Sequence, residues 1–209
     1  MRNTFLKSRR VLYMVFILGV GLLVILFYPR SEGLSLKEVI DGDTIILSNG
    51  EKIRYIGINT PDKGQPFFSE ATKASLEMLS SKLISLKYDV ETKDNTGRTL
   101  AYVWVDSLFV NAELIKRGLA WVYIVSPNLA QRETFISLQK EARQKRIGIW
   151  AIPVPKEKHY VATKESRKFI FHRPSCKWAQ KILDKNRITF KSRDEALDLG
   201  YSPCRTCNP

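Results

Sequence analysis

Cysteine is scarce in this chain. Its 209 residues hold three, at positions 176, 204 and 207. So few, and an odd number, exclude a full disulfide framework and make a mixed metal site the reading to examine. Acidic residues are missing from positions 1–30, which carry five basic side chains. There is no internal repeat and no low-complexity tract. What is present is globular: 44% hydrophobic and 11% aromatic residues, enough for one sizeable core and a small appendage. The net charge of +13 points to a polyanionic partner, either nucleic acid or an anionic membrane surface. That excess lies at the ends. Residues 31–155 hold 16 basic and 15 acidic side chains, and residues 156–209 hold 13 and six. A basic groove in the middle of the chain must therefore come from arrangement.

Residues 11–28, VLYMVFILGVGLLVILFY, are free of charge and proline. Eighteen such residues are about the minimum for a membrane span. Arg2, Lys7, Arg9 and Arg10 precede them, so the positive-inside bias puts the N-terminus in the cytoplasm and the rest outside. The run is long for a signal-peptide core, and FYPRSEG offers no small-x-small cleavage site. The expectation is an uncleaved, single-pass anchor over residues 1–30, with a secreted protein as the outcome if it is cleaved. No cysteine follows the run, which excludes a lipoprotein anchor.

From Leu36 the pattern is rich in strands. LKEVIDGDTIILSNGEKIRYIGI reads as strand, tight turn, strand, Asn49-Gly50 hairpin, strand. Residues 66–84 read as a helix with Phe68, Ala71, Leu76, Leu79 and Leu83 on one face. ISLKYDVE and TLAYVWV are two further strands around an Asp94–Gly97 turn. A helix follows over 110–117, stopping at Gly118. Another starts at Ser126-Pro127 and runs to about Arg146. Five strands with three helices predict an α+β fold: a five-stranded barrel of the oligonucleotide-binding type over residues 34–152. Pro153 and Pro155 mark its end, and residues 158–209 form a small tail module.

Three pieces of the barrel segment carry chemistry. Asp41 and Asp43, one residue apart at a strand turn, offer hard oxygen ligands for a divalent cation, although Asp-Gly-Asp is also an ordinary turn. Arg54 on a strand offers a donor fork suited to phosphate oxygens, and Asp62 follows at the strand's end as a carboxylate able to take a proton from water. Arg98, delivered by the Asp94–Gly97 turn, is a second guanidinium for a phosphorane-like transition state.

Taken together, VIDGDTIIL, IRYIGINTPD, GRTLAYVWVD and NAELIKRGLAWV resemble the staphylococcal nuclease family, in family order, over about residues 36–150. The resemblance implies an oligonucleotide-binding barrel with three helices. It also implies calcium-dependent cleavage of DNA and RNA to 3′-phosphate ends, with no small-molecule cofactor. Position by position it makes Asp43 a calcium ligand with Asp41 in support, Thr60 a ligand through its carbonyl, and Arg54 and Arg98 the phosphate contacts. Asp62 stands where the family has its glutamate base, and Asn59 where it usually has a second metal aspartate. Asn59 removes one negative charge from the metal site. Asp62 is a methylene short, a displacement of about 1 Å that can cost about 100-fold in rate. These departures leave open a second reading: a barrel that binds nucleic acid or protein with weakened or lost catalysis.

In the tail, His172-x3-Cys176 and Cys204-x2-Cys207 are paired ligands with spacings suited to tetrahedral zinc. A small unit with little core gains most from such a metal. The alternative is a Cys204–Cys207 disulfide or free thiols. The arrangement resembles the zinc-binding module of the Ada family of alkylation-repair proteins. That module has four cysteines, one of which accepts methyl groups. With His172 at one ligand position, methyl transfer is not carried over. Phe169, Phe171 and Trp178 read as tail core, with base stacking as the other possibility.

Overall fold

The computed structural model describes residues 33–209. The anticipated anchor at residues 11–28 lies outside them. Among the described residues no helix is long and apolar enough to cross a membrane.

The first half is a strongly bent sheet. β1 (Leu36–Asp41), β2 (Thr44–Leu47) and β3 (Lys52–Tyr55) form an antiparallel meander. Its second turn is the expected Asn49-Gly50 hairpin, where Gly50 takes φ +85°. β3 then pairs in parallel with β6 (Thr99–Val105), and β6 pairs antiparallel with β5 (Ile84–Lys87). The edges meet where Ser35 bridges Leu83 and the Ile84 amide donates to the Leu34 carbonyl at 2.7 Å. This contact closes the five strands into a barrel, leaving no exposed edge to manage. Alternation places Ile45, Leu47, Ile53, Tyr55, Ala101, Val103 and Val105 inside, each at most 1% exposed. Two short pairs complete this half: β7 (Leu108–Phe109) on β6, and β4 (Ile58–Asn59) with β8 (Trp121–Val122).

Three helices pack on the barrel. α1 spans Phe68–Leu79 and buries Ala71, Ala74, Ser75, Met78 and Leu79. Ala71 and Leu79 are buried as expected, but Leu76 is exposed, and so is Leu83, which lies beyond the helix. The small residues Ala71 and Ala74 let the helix approach the β1–β2 turn closely, and that contact decides which face turns inward. α2 spans Val110–Lys116, and Gly118 ends it at φ +64° as expected. α3 spans Arg132–Gln144 and starts later than Ser126-Pro127 suggested. Asn128 makes two 2.8 Å hydrogen bonds to the backbone of Glu91. This segment is thus committed to pairing with another loop before the helix begins.

The tail has its own four-stranded sheet. The order is β11 (Arg187–Phe190), β9 (Tyr160–Thr163), β10 (Ile170–His172), β12 (Ser202–Pro203). α4 (Arg193–Asp198) is capped by Ser192, whose hydroxyl accepts from the Glu195 amide at 3.0 Å. Phe171, Phe190, Tyr160 and Leu197 fill a small core of their own. Phe169 packs on the barrel's core, whereas Trp178 is 46% exposed and belongs to neither. The tail is fastened to the barrel. Arg143 of α3 bonds Asp194 at 2.7 Å and also Asp198, the Ser202 hydroxyl donates to the Val122 carbonyl, and the Ser126 amide donates to Arg167 at 2.8 Å. Residues 34–209 cohere as one unit.

Candidate active site

The β1–β2 turn can be tight only because residue 42 is glycine. A Cβ there would come within 2.7 Å of the Thr60 methyl and 2.8 Å of Ala71. This close approach presses the turn against both α1 and the segment after β4. Asp43 consequently lies buried at 4% exposure, with its carboxylate fully engaged. It accepts from the Thr60 amide at 2.7 Å, the Thr60 hydroxyl at 3.2 Å and the Thr44 hydroxyl at 3.1 Å. It also pairs with Arg54 Nε at 3.1 Å. Asp41 caps the same turn, accepting from the Asp43 amide at 3.0 Å. Burial raises its pKa, and the neighbouring Asp43 charge raises it further. Two carboxylates crowded in this way form a site that a divalent cation would relieve.

Arg54 is held from every side. Besides Asp43, it donates to the Tyr55 carbonyl, to the Ile58 carbonyl at 2.7 Å and to Asn59 Oδ1 at 3.3 Å. Its guanidinium is 11% exposed, so little rotamer freedom remains to be lost on binding a phosphate. Asn59 is buried beside Thr60. The Asp43 carboxylate, the Asn59 amide oxygen and the Thr60 carbonyl are all hard oxygens, the donor type that calcium prefers. The donor types fit the ion, but Asn59 Oδ1 here accepts from Arg54 and Arg205, so those guanidinium groups would have to release it for the ion to bind there.

Arg98 reaches the same cleft from the turn before β6. Asp94 accepts from its Nε and Nη2, both at 2.7 Å, and from its backbone amide at 3.1 Å. Burial pushes the Asp94 carboxyl up, but hydrogen bonds from Thr96 and Arg98 outweigh that and hold it at about 2. Asp62 sits on the rim with its side chain 49% exposed, open to water. One cleft of about 970 Å³ is lined by Asp41, Asp43, Arg54, Asn59, Thr60, Asp62 and Arg98 together. All seven residues singled out in the barrel segment thus share a single cavity.

The sequence is similar to those of known nucleases. Residues 52–152 match the family described as staphylococcal nuclease homologue. The thermonuclease of Staphylococcus intermedius is 39% identical over 130 residues, 58% of this chain and 77% of that protein. The thermonuclease of Staphylococcus hyicus is 38% identical over 122 residues, 54% and 72% of the two chains. Endonuclease YncB of Bacillus subtilis (strain 168) is 36% identical over 128 residues, 56% and 61%. The chain belongs to the staphylococcal nuclease family. It is a nuclease, a hydrolase acting on phosphodiester bonds.

Two residues that contact this cleft in the nuclease escaped the sequence reading. Asp94, read only as a turn residue, orients Arg98. Arg205, from the far end of the chain, donates to Asn59 Oδ1 and lies 3.4 Å from Asp62. A carboxylate four residues before Arg98 could have signalled the first. Nothing local signals the second, because 146 residues separate Arg205 from Asn59.

The nuclease's tail lies beyond the family-matched residues. There His172, Cys176, Cys204 and Cys207 converge, with their ligand atoms all within 4.8 Å of one another. His172 Nδ1 is 3.7 Å from Cys176 Sγ. Tetrahedral zinc with bonds of about 2.3 Å spaces its ligand atoms about 3.8 Å apart. The three thiols are free, so the disulfide alternative is not realised in the structure. Burial lowers the pKa of His172, favouring the neutral imidazole a metal requires. Burial raises that of Cys176, but hydrogen bonds from the Trp178 and Ala179 amides and the neighbouring thiols carry it lower overall. Cys207 moves the other way, to about 12, through burial and the thiols beside it. The donor set is compatible with zinc.

Proposed function

We propose that this nuclease is a calcium-dependent endonuclease that cuts DNA and RNA to 3′-phosphate ends. The observation that carries the reading is the convergence of Asp43, Asn59, Thr60, Arg54 and Arg98 in one cleft. Asp43, Asn59 and the Thr60 carbonyl, with Asp41 in support, would hold the cation, which would supply positive charge to offset that of the phosphate. Arg54 and Arg98 donate to the non-bridging oxygens and stabilise the charge that grows there in the transition state. Both are pre-oriented by carboxylates, Asp43 and Asp94. Asp62 takes a proton from a water at the rim, and that water attacks phosphorus in line. The bond to the 5′ oxygen breaks, and the proton passes to that oxygen, leaving a 3′-phosphate and a 5′-hydroxyl.

The same proposal gives the tail one structural zinc ion at His172, Cys176, Cys204 and Cys207, supported by their mutual spacing. It places the nuclease outside the cytoplasm, anchored through residues 11–28 with the N-terminus inside, or secreted if that segment is removed. This placement is supported by the charge-free run and the basic residues before it.

The test uses residues 31–209 and a plain DNA substrate. Cleavage starts with calcium and stops with chelator, the products accept label only after phosphatase treatment of their 3′ ends, and metal analysis finds one zinc per chain. DNA binding without turnover at millimolar calcium would instead favour a binding barrel that has lost catalysis, the reading that Asn59 and Asp62 left open.

A further inference from the structure

Arg205 sits in the short knuckle between Cys204 and Cys207, directly after buried Cys204. Its guanidinium donates to Asn59 Oδ1 and pairs with Asp62 Oδ2 at 3.4 Å. These are the two positions at which the sequence departs from the pattern its resemblance implies. The tail thus inserts a cation into the cleft where the barrel has less carboxylate than expected.

The knuckle also carries an aromatic surface. Trp178 lines the same cleft and is 46% exposed. Its indole N–H donates to the Thr206 hydroxyl at 3.1 Å, which ties the ring to the residue beside Arg205. The ammonium groups of Lys177 and Lys181 stand 5.4 and 5.0 Å from the ring centre. A pinned, half-exposed aromatic ring with two ammonium groups over it joins a stacking surface to phosphate-binding charge, once the flexible lysine stems turn toward a backbone phosphate.

We infer that the knuckle forms the second wall of the substrate cleft: Arg205 binds a phosphate adjacent to the scissile one, and Trp178 stacks on a neighbouring unpaired base. The inference rests on the cleft being the nuclease site. Exposure separates the roles of the arginines. The side chains of Arg54 and Arg98 are 11% and 32% exposed and locked to carboxylates, whereas Arg205 is 58% exposed and its partner Asp62 49%. An ion pair so open to water is weak. A bidentate contact to phosphate is stronger, so a substrate phosphate displaces Asp62 from Arg205. The displacement also frees the Asp62 carboxylate for water. Stacking on Trp178 needs a base already out of its duplex.

The experiment measures kcat and KM for the full chain on single-stranded DNA and on a duplex of the same sequence, across a salt series with calcium present. Arg205→Ala is expected to raise KM for the single strand about tenfold, with kcat within about twofold. It should also make the fall of log kcat/KM with log salt shallower by about 0.7, the value of one lost phosphate contact on a single strand. Arg205→Lys should restore that slope. Trp178→Ala should lower the single-strand preference about fivefold or more. Faster cleavage by Arg205→Ala would mark an inhibitory brace and overturn the inference. So would an unchanged KM and slope, or a loss confined to kcat, which would make Arg205 a positioning residue for Asp62. Wild-type chain without calcium-dependent cleavage would overturn the reading of the site itself, and the inference with it.

Discussion

Asp62 and Asn59 stand in the cleft where the resemblance leads one to expect glutamate and aspartate. Asp62 is a methylene short, so Asp62→Glu should raise kcat, by up to about 100-fold if reach is what limits proton transfer. An unchanged kcat would show that the carboxylate already reaches its water. Asn59→Asp adds a negative charge at the proposed calcium site. It should lower the calcium concentration at half-maximal rate by about tenfold, read from a calcium titration of cleavage. Most of the site was legible at this scale because its members lie in short contiguous strings. Strand alternation and turn chemistry, which act locally, bring out Asp41, Asp43, Arg54 and Asp62, whereas Asn59 and Thr60 entered only through the family resemblance. Asp94 was visible as a turn residue but not as the partner of Arg98. Its depressed pKa has a consequence: the contribution of this turn to stability is complete above about pH 4 and is lost as pH falls toward 2.

Among the elements, the β1–β2 turn and α1 act as one device. Gly42 lets them meet, and the contact fixes Asp43 against Thr60. Gly42→Ala should force the turn outward, destabilise the fold by about 1–3 kcal/mol and weaken calcium activation together. Thermal unfolding and the calcium midpoint, measured on the same sample, check both; a loss of stability with an unchanged midpoint would uncouple them. The Asn49-Gly50 hairpin and the end of α2 at Gly118 were legible because glycine conformation is a local constraint. The buried face of α1 was legible only in part, because Leu76 is as apolar as its neighbours and only the closeness of the β1–β2 turn selects the alanine side. The start of α3 was missed for a similar reason. Ser126-Pro127 is good capping chemistry, but Asn128 is already bonded to Glu91 across the chain.

For the whole molecule, barrel closure and tail docking are long-range facts. The Ser35–Leu83 bridge and the Arg143 contacts join residues far apart in sequence, and no periodicity announces them. Arg143 is nearly enclosed and reaches both Asp194 and Asp198 of α4. Because Asp194 is largely exposed, the link is worth about 1–2 kcal/mol. Arg143→Ala should lower the unfolding temperature by a few degrees, and an unchanged temperature would show that the tail is held without it. The basic excess noted in the tail acquires a place here: part of it faces the cleft through Arg205 and Lys168, and part, such as Arg193, turns inward to bond the Pro209 carbonyl.

The most direct test of the account is the rate of DNA cleavage against calcium concentration for wild type and Arg98→Ala. Arg98 lies in a surface turn outside the buried core, so Arg98→Ala is expected to cost little stability beyond its pairing with Asp94, which thermal unfolding of the variant checks. The account predicts a saturable rise from no cleavage in chelator, and an Arg98→Ala rate at least about 100-fold lower at every calcium concentration, with the same midpoint. Cleavage that persists in chelator, or an Arg98→Ala rate equal to wild type, would contradict it.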